Sequence, residues 1–218
     1  MVNRPIFVPS IKKGSLVEWV PVEFEWFPGF SLSQKQKSIE SLHSSARKQG
    51  IFPVLEVSTK STTELGRRLS AFNLKLEVDG ELHTLESVYQ SSKVFSLSGQ
   101  HTELMKLNPF QAKKRVRELG RGEIVAFRCF GEEFATEPKN AFYDWLYIRA
   151  IYPHREWVAR NIDFYGYSDI EFNPDKSINC QARAVAEYKS LEMNGASDEC
   201  FHSFESFKKV IEYAQRKE

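Results

Sequence analysis

The sequence contains little of what metal-binding and disulfide-rich proteins need. Its three cysteines, Cys129, Cys180 and Cys200, form no C-x-x-C pair, which favours free thiols over disulfides or a zinc site. The five histidines form no i, i+4 pair, which disfavours a histidine-based metal site. A glycine-rich loop of the kind that cradles phosphates is also absent. We therefore expect no metal and no cofactor.

Long apolar segments are missing as well. No run approaches the ~20 apolar residues that a membrane-spanning helix needs. The first residues, MVNRPIFVPS, lack the apolar stretch and the small-residue cleavage site of a signal peptide. The sequence therefore predicts a cytoplasmic protein without a membrane partner.

The chain has no excess of one charge. Thirty Lys and Arg residues oppose 29 Asp and Glu residues, giving a formal charge of +1, so a generally basic nucleic-acid-binding surface is excluded. Any contact with nucleic acid must come from local basic clusters. These are KKRVR at Lys113–Arg117, Arg67 with Arg68, and Lys35 with Lys37.

What is present is the composition of a globular chain with one substantial core, 41% hydrophobic and 27% charged. The alternation from Val20 to Trp26 predicts one strand, and Ser31 or Ser33 is a suitable N-cap for the helix that follows. FPVLEVS, EIVAFRCF and YSDIEF predict extended segments, and Asp79-Gly80 predicts a hairpin turn. Later helices are predicted at QAKKRVREL, AFYDWLYIRAI, REWVARNI, QARAVAEYKSLEM and FESFKKVIEYA.

These elements predict a helix-rich α+β fold with short, scattered strands. Strands and helices do not alternate strictly, which disfavours a doubly wound sheet, and no repeat or break in composition divides the chain. We expect a single compact unit in which residues 1–50 form an extension packed on a core of residues 51–218.

One predicted helix carries an unusual set of polar residues. Thr84 is a suitable N-cap for a helix from about Leu85 to Phe95, which places Glu86, Gln90 and Lys93 on one face. A solvated face is the ordinary explanation of such a stripe. Glu86 and Lys93 lie about 10 Å apart along the helix axis, too far for an i, i+4 ion pair. The two side chains could instead approach two points on one ligand of about the size of a ribose.

The segments LSAFN and VDGELHTLESVYQSSKVF resemble the signature of the NADAR family, the YbiA-like proteins. In that family a serine-aromatic motif precedes a DG hairpin and a helix with Glu, an aromatic-Gln pair and Lys. NPFQAKKRVREL, AFYDWLYIRAI and DIEFNP resemble further segments of the family. The resemblance spans about residues 55–190 and implies a NADAR-like catalytic domain.

One branch of the family is closer still. WFPGFSLSQKQKSIESLH, STKSTTELGRRLSAFN and SDIEFNPDKSINCQARA resemble NADAR proteins encoded beside toxins that attach ADP-ribose to guanine in DNA. This resemblance covers nearly the whole chain. It implies an antitoxin, an N-glycosyl hydrolase that removes ADP-ribose from guanine. Its partners would be ADP-ribose, ADP-ribosylated DNA with a single-stranded or extruded base, and a cognate toxin acting on the same DNA.

Two positions depart from the wider family. Ala71 stands where Asn is usual, and KSINCQARA replaces a segment with a Trp-Gly pair. Asn179 and Gln181 are therefore expected to line the pocket in an arrangement of their own.

The resemblance and the residue chemistry together assign roles to eleven side chains. Glu86 is the expected general base or the group that offsets positive charge at the ribose carbon. Lys93 either binds ribose or phosphate as an ammonium or attacks the sugar as an amine. The expected substrate-binding residues are Phe72, Tyr89, Gln90, Ser70, Lys60, Lys35, Glu171, Asn173 and Asn179.

Two other functions stay open at this point. The wider family also implies an N-glycosidase acting on phosphoribosylamino-pyrimidine intermediates of riboflavin synthesis. A non-catalytic module that binds ADP-ribose is the third possibility, because a fold alone does not establish an activity.

Overall fold

The computed structural model describes residues 1–11, 15–161 and 163–215. The strands are β1 Val2–Pro9, β2 Val17–Phe24, β3 Val54–Glu56, β4 Lys75–Val78, β5 Glu81–Thr84, β6 Lys93–Phe95, β7 Gly99–Gln100, β8 Ile124–Cys129, β9 Glu132–Phe134 and β10 Gly166–Ser168. The helices are α1 Leu32–Lys48, α2 Glu64–Arg68, α3 Leu85–Ser92, α4 Pro109–Leu119, α5 Ala141–Ile151, α6 Arg155–Asn161, α7 Gln181–Met193, α8 Ser197–His202 and α9 Phe204–Gln215. The fold is α+β, which confirms the predicted class.

The first sheet has the strand order β2-β1-β10-β3. β1 is antiparallel to β2 and to β10, whereas β10 is parallel to β3. Helix α1 covers one face of this sheet with Ile39, Leu42 and Ala46, and Ser31 is its N-cap, one of the two predicted. The sheet brings the end of β3 beside the end of β10, where polar loops begin.

The strand predicted from Val20 to Trp26 is confirmed as β2, which begins and ends a few residues earlier, whereas β1 was not predicted. Pro5 and Pro9 weaken the strand pattern of β1, since proline donates no hydrogen bond. β1 nevertheless tolerates both prolines, because it pairs with β10 only at Phe7, opposite Tyr167. The prolines are therefore not needed as hydrogen-bond donors to β10. Phe7 and Val17 belong to the same buried cluster as α5 and α7. The division of the chain at residue 50 stays a prediction.

A second sheet, of order β7-β6-β8-β9, and the β4-β5 hairpin flank α3. Asp79 and Gly80 both have positive φ angles, 51° and 80°, and form the predicted hairpin turn. Helices α5 and α7 begin and end at the predicted residues; α5 is almost entirely buried, and α7 is buried at eight of its thirteen residues. The predicted helices α4, α6 and α9 are also confirmed, within one or two residues.

Helix α3 is shorter than its sequence predicts. It ends at Ser92, and Lys93 starts strand β6 opposite Phe127. The hydroxyl groups of Ser91 and Ser92 both donate to the Val88 carbonyl, a side-chain bond that competes with continuation of the helix. Lys93 therefore lies at the junction of a helix and a strand.

The predicted extended segment YSDIEF is strand only as far as Ser168. The Asp169 carboxylate accepts a hydrogen bond from the Glu171 amide, and the Ile170 amide donates to Glu56. These hydrogen bonds from backbone amides to side chains take the place of strand-to-strand hydrogen bonds, so the chain turns here. Residues 169–171 thus form a loop.

No helix in the described ranges combines the length and the apolar character needed to cross a membrane. Within the same ranges, no group of three or more His, Cys, Asp or Glu residues could hold a metal ion. The three cysteines are buried as free thiols.

Gly66→Ala should destabilise the fold strongly. A Cβ at Gly66 would lie 1.9 Å from the Glu56 carbonyl oxygen and 2.3 Å from the Ser61 hydroxyl, so α2 would have to move away from β3. We expect a loss of about 2–3 kcal/mol in the free energy of unfolding, measured in urea. Gly50→Ala is the control, because its Cβ meets no atom within 4 Å and only the positive φ of 81° costs energy, about 1 kcal/mol. An equal loss in both variants would contradict the packing argument.

Candidate functional site

A cavity of about 500 Å³ lies between α3, α4 and the loops that follow β3 and β10. Its volume falls in the range of small-molecule sites, about 300–1,000 Å³. The side chains around it are predominantly polar. They are Ser58, Thr59, Lys60, Ser70, Phe72, Glu86, Tyr89, Gln90, Lys93, Phe110, Lys113, Val116, Arg117, Tyr143, Asp169, Glu171, Phe172, Asn173, Lys176, Ser177, Asn179 and Gln181.

Helix α3 forms one wall of the cavity. The Thr84 hydroxyl accepts a hydrogen bond from the Ser87 amide and caps the helix, as predicted. Every residue from Leu85 to Ser92 is buried, so the Glu86 and Gln90 face is not a solvated surface. Burial of these polar side chains requires partners, and the cavity wall supplies them.

Three side chains form a continuous hydrogen-bonded row along this wall. The Gln90 amide nitrogen donates to a Glu86 carboxylate oxygen at 2.8 Å. The Lys93 ammonium donates to the Gln90 amide oxygen at 2.7 Å. Gln90 thereby joins a carboxylate to an amine that is too far away for a direct ion pair. The premature end of α3 does not break the row, because the first residue of β6 still points its side chain to the same wall.

The pKa of Lys93 falls to about 8, chiefly because the side chain is buried. The Glu86 carboxylate opposes this shift, and the positive charges of Lys113 and Arg117 contribute to it. Lys113 also lies 3.7 Å from the Glu86 carboxylate and is partly exposed. The amine of Lys93 is therefore neutral in a substantial fraction of molecules near pH 8, which an ordinary lysine is not.

Tyr89 faces the cavity beside this row. Its hydroxyl accepts a hydrogen bond from the Asn179 amide at 2.6 Å, and the Lys93 ammonium lies 4.6 Å from its ring centroid. Burial raises the pKa of Tyr89, so the phenol stays protonated and can donate a hydrogen bond.

Gln181, at the start of α7, organises the opposite wall. Its side-chain oxygen accepts hydrogen bonds from the Ser70 hydroxyl and the Ala71 amide, and its nitrogen donates to Asp169. The segment LSAFN is thus fixed by a residue more than a hundred positions later. Burial raises the pKa of Asp169 to about 6.

Glu56 lies behind the cavity and joins the ends of β3 and β10. Its carboxylate accepts hydrogen bonds from the hydroxyls of Ser58 and Ser168 and from the Ile170 amide. Burial, together with the negative charge of Asp169, raises the pKa of Glu56 to about 8. The bonds to Glu56 hold the two polar loops, 58–60 and 169–171, against the cavity.

The structure brings ten of the eleven predicted site residues together around the cavity. Lys35 is the exception, because it pairs with Glu171 at 3.0 Å and lies 4.9 Å from the Trp26 ring centroid instead of lining the wall. Asn173 lines the cavity and also makes a turn, accepting from the Asp175 amide. The roles assigned to these residues stay predictions.

The sequence-based selection of site residues missed several others that line the cavity. Asp169 was not predicted as a site residue, although its burial beside Gln181 makes it a carboxylate of the wall. Phe110 was not predicted, and Lys113 and Arg117 were predicted only as part of a basic cluster. The three residues are spaced three and four positions apart in NPFQAKKRVREL, which places them on one helix face. This helical spacing is the sequence signal that could have identified them as residues of one cavity wall.

The electrostatics of the cavity differ from those of the whole chain. Among the described residues, five cationic side chains line it against three carboxylates. The cations are Lys60, Lys93, Lys113, Arg117 and Lys176, and the carboxylates are Glu86, Asp169 and Glu171. The site therefore suits an anionic ligand, with a carboxylate and a partly neutral amine at its inner wall.

Comparison with known proteins tests the resemblance found in the sequence. A family model described as DarT1-associated NADAR antitoxin matches residues 2–218. Comparison with curated proteins gave no significant sequence match. The family match confirms the predicted NADAR resemblance and assigns the chain an antitoxin role in a DarT toxin system. Because the match covers almost the whole chain, the protein belongs to the family of DarT1-associated NADAR antitoxins.

Proposed function

We propose that the protein is an N-glycosyl hydrolase that removes ADP-ribose from ADP-ribosylated guanine in DNA and so reverses the modification made by its toxin. The observation that carries this proposal is the Glu86–Gln90–Lys93 row inside a cation-rich cavity. Family membership supports an antitoxin role, and the proposed substrate follows from the resemblance to NADAR proteins encoded beside toxins that attach ADP-ribose to guanine.

The cavity offers complementary partners for each part of ADP-ribose. The cations at its rim, including Lys60 and Lys176, suit the diphosphate. The half-buried ring of Phe72 suits stacking on a base. Gln90 and Asn179 supply donors and acceptors for ribose hydroxyls.

Cleavage of a ribose–nitrogen bond develops positive charge at the anomeric carbon in the transition state. Glu86 is the carboxylate that stabilises this charge, since its side chain is buried and held by Gln90. The electrostatic interaction of a carboxylate with a nearby positive charge is stronger in such a buried position than in water, because the effective dielectric constant is lower. Tyr89 is the proposed hydrogen-bond donor for the sugar or the departing base.

Lys93 is the proposed nucleophile. Its neutral amine attacks the anomeric carbon, the bond from that carbon to the guanine nitrogen breaks, and the electron pair leaves with guanine, which takes up a proton. The lysine nitrogen loses a proton, and opening of the ribose ring gives an imine between Lys93 and the sugar. Addition of water to the imine then releases ADP-ribose and restores the amine.

Glu86→Gln should lower turnover steeply while the fold and the cavity remain. The amide keeps the shape and the contact with Gln90 but cannot offset positive charge, so kcat should fall about 10²–10⁴-fold. Release of ADP-ribose from a modified single-stranded oligonucleotide measures turnover, and calorimetry measures binding of free ADP-ribose. Glu118→Gln, on the exposed side of α4, is the control. Full activity in Glu86→Gln would remove this residue from the mechanism.

The pH dependence of turnover should report the titration of Lys93. Because only the neutral amine attacks, kcat/KM should rise about tenfold per unit below pH 8 and level off above it. Lys113→Gln removes a positive charge that lowers the pKa of Lys93, so the midpoint should move to higher pH and activity at pH 7 should fall. Lys114→Gln, which does not line the cavity, is the control. A rate that falls as pH rises through 8 would show that the ammonium form is required.

Borohydride should trap the proposed imine. Wild-type protein incubated with substrate and borohydride should carry a sugar adduct on Lys93 in a peptide map, and Lys93→Arg should carry none, because a guanidinium does not attack. Turnover without any adduct on Lys93 would exclude the covalent step and leave the lysine as a binding group.

A further inference from the structure

Phe110 stands out among the aromatic residues of the cavity. Of those that line it in the described ranges, Phe110 is the most exposed, with 65% of its surface accessible to solvent. Its ring lies 4.7 Å from the Phe72 ring, centroid to centroid, at an angle of 52°. The side chain therefore continues the inner aromatic wall outward to the cavity mouth.

The fold fixes the backbone at Phe110 without needing its side chain for the core. Asn108 caps α4 and Pro109 occupies its first position, so the backbone at Phe110 is fixed. The buried face of α4 is formed by Ala112 and Val116, packed on Leu104. An exposed ring on a fixed backbone loses little conformational freedom when a ligand covers it.

The surroundings of Phe110 are basic. Lys113 and Arg117 share its helix face and also line the cavity. Lys113 lies 5.5 Å from the Phe72 ring centroid, so cation and aromatic groups alternate from the mouth inward. An exposed aromatic ring beside cations is the combination that binds single-stranded nucleic acid, with a base on the ring and a phosphate on the cation.

We propose that Phe110 is a stacking platform for the nucleobase next to the modified guanine, with Arg117 and Lys113 holding the adjoining phosphate. This inference rests on the proposed function and adds to it a preference for a single-stranded polynucleotide over an isolated modified nucleotide. A base in a duplex is already stacked on its neighbours and cannot cover the ring without leaving the stack.

Two measurements on Phe110→Ala test the proposal. The first is the affinity for an unmodified single-stranded oligonucleotide, from fluorescence anisotropy, which should weaken about tenfold. The second is the ratio of kcat/KM for an ADP-ribosylated oligonucleotide to that for ADP-ribosylated deoxyguanosine monophosphate. That ratio should also fall about tenfold, because a single nucleotide has no neighbouring base to stack.

Three variants sharpen the comparison. Phe110→Trp keeps an aromatic face and should retain both properties, whereas Phe110→Leu keeps apolar volume without that face and should lose them. Phe30→Ala removes a fully exposed phenylalanine that does not line the cavity, and it should change neither property.

The outcomes separate this proposal from the function on which it rests. If Phe110→Ala leaves oligonucleotide affinity unchanged, or weakens free ADP-ribose binding as much as oligonucleotide binding, the platform is excluded. If the wild-type protein hydrolyses neither substrate, the proposed function fails. The anisotropy measurement then still tests the stacking role of Phe110 by itself, because binding of unmodified DNA requires no turnover.

Discussion

The organisation of the site depends on keeping a lysine amine and a carboxylate in the same buried wall without a direct ion pair. Gln90 makes this possible by accepting from Lys93 and donating to Glu86. A direct pair would hold the lysine as an ammonium, whereas the bridged arrangement lets burial and the neighbouring cations lower its pKa to about 8. The same carboxylate and amine are then available together to a substrate.

The remainder of the fold supports that wall from three directions. Glu56 joins the ends of two strands and holds the polar loops against the cavity. Gln181 fixes the segment around Ser70 from the start of α7. Helix α4 adds cations and the exposed ring of Phe110. A chain with almost no net charge thereby concentrates positive charge at one opening, which suits a phosphate-bearing substrate.

Much of this arrangement could be predicted from local sequence. The Asp79-Gly80 turn, the Thr84 cap and the limits of α5 and α7 follow from turn chemistry, capping and apolar periodicity. The end of α3 could be predicted only in part, because the Ser91 and Ser92 bonds to Val88 are local, whereas Lys93 pairs with a strand more than thirty residues away. Gln181 likewise owes its position to hydrogen bonds with Ser70 and Ala71, more than a hundred residues earlier in the chain. Apolar periodicity does not reveal such contacts.

The most direct test of the proposed function is the identity of the reaction products. The purified protein would be incubated with a single-stranded oligonucleotide that carries one ADP-ribosylated guanine. The masses of both products would then be measured by mass spectrometry. If the proposed function is correct, we expect intact ADP-ribose and an oligonucleotide with unmodified guanine. Bound but uncleaved substrate would instead identify a binding module, and a sugar remnant left on guanine would show that another bond is broken.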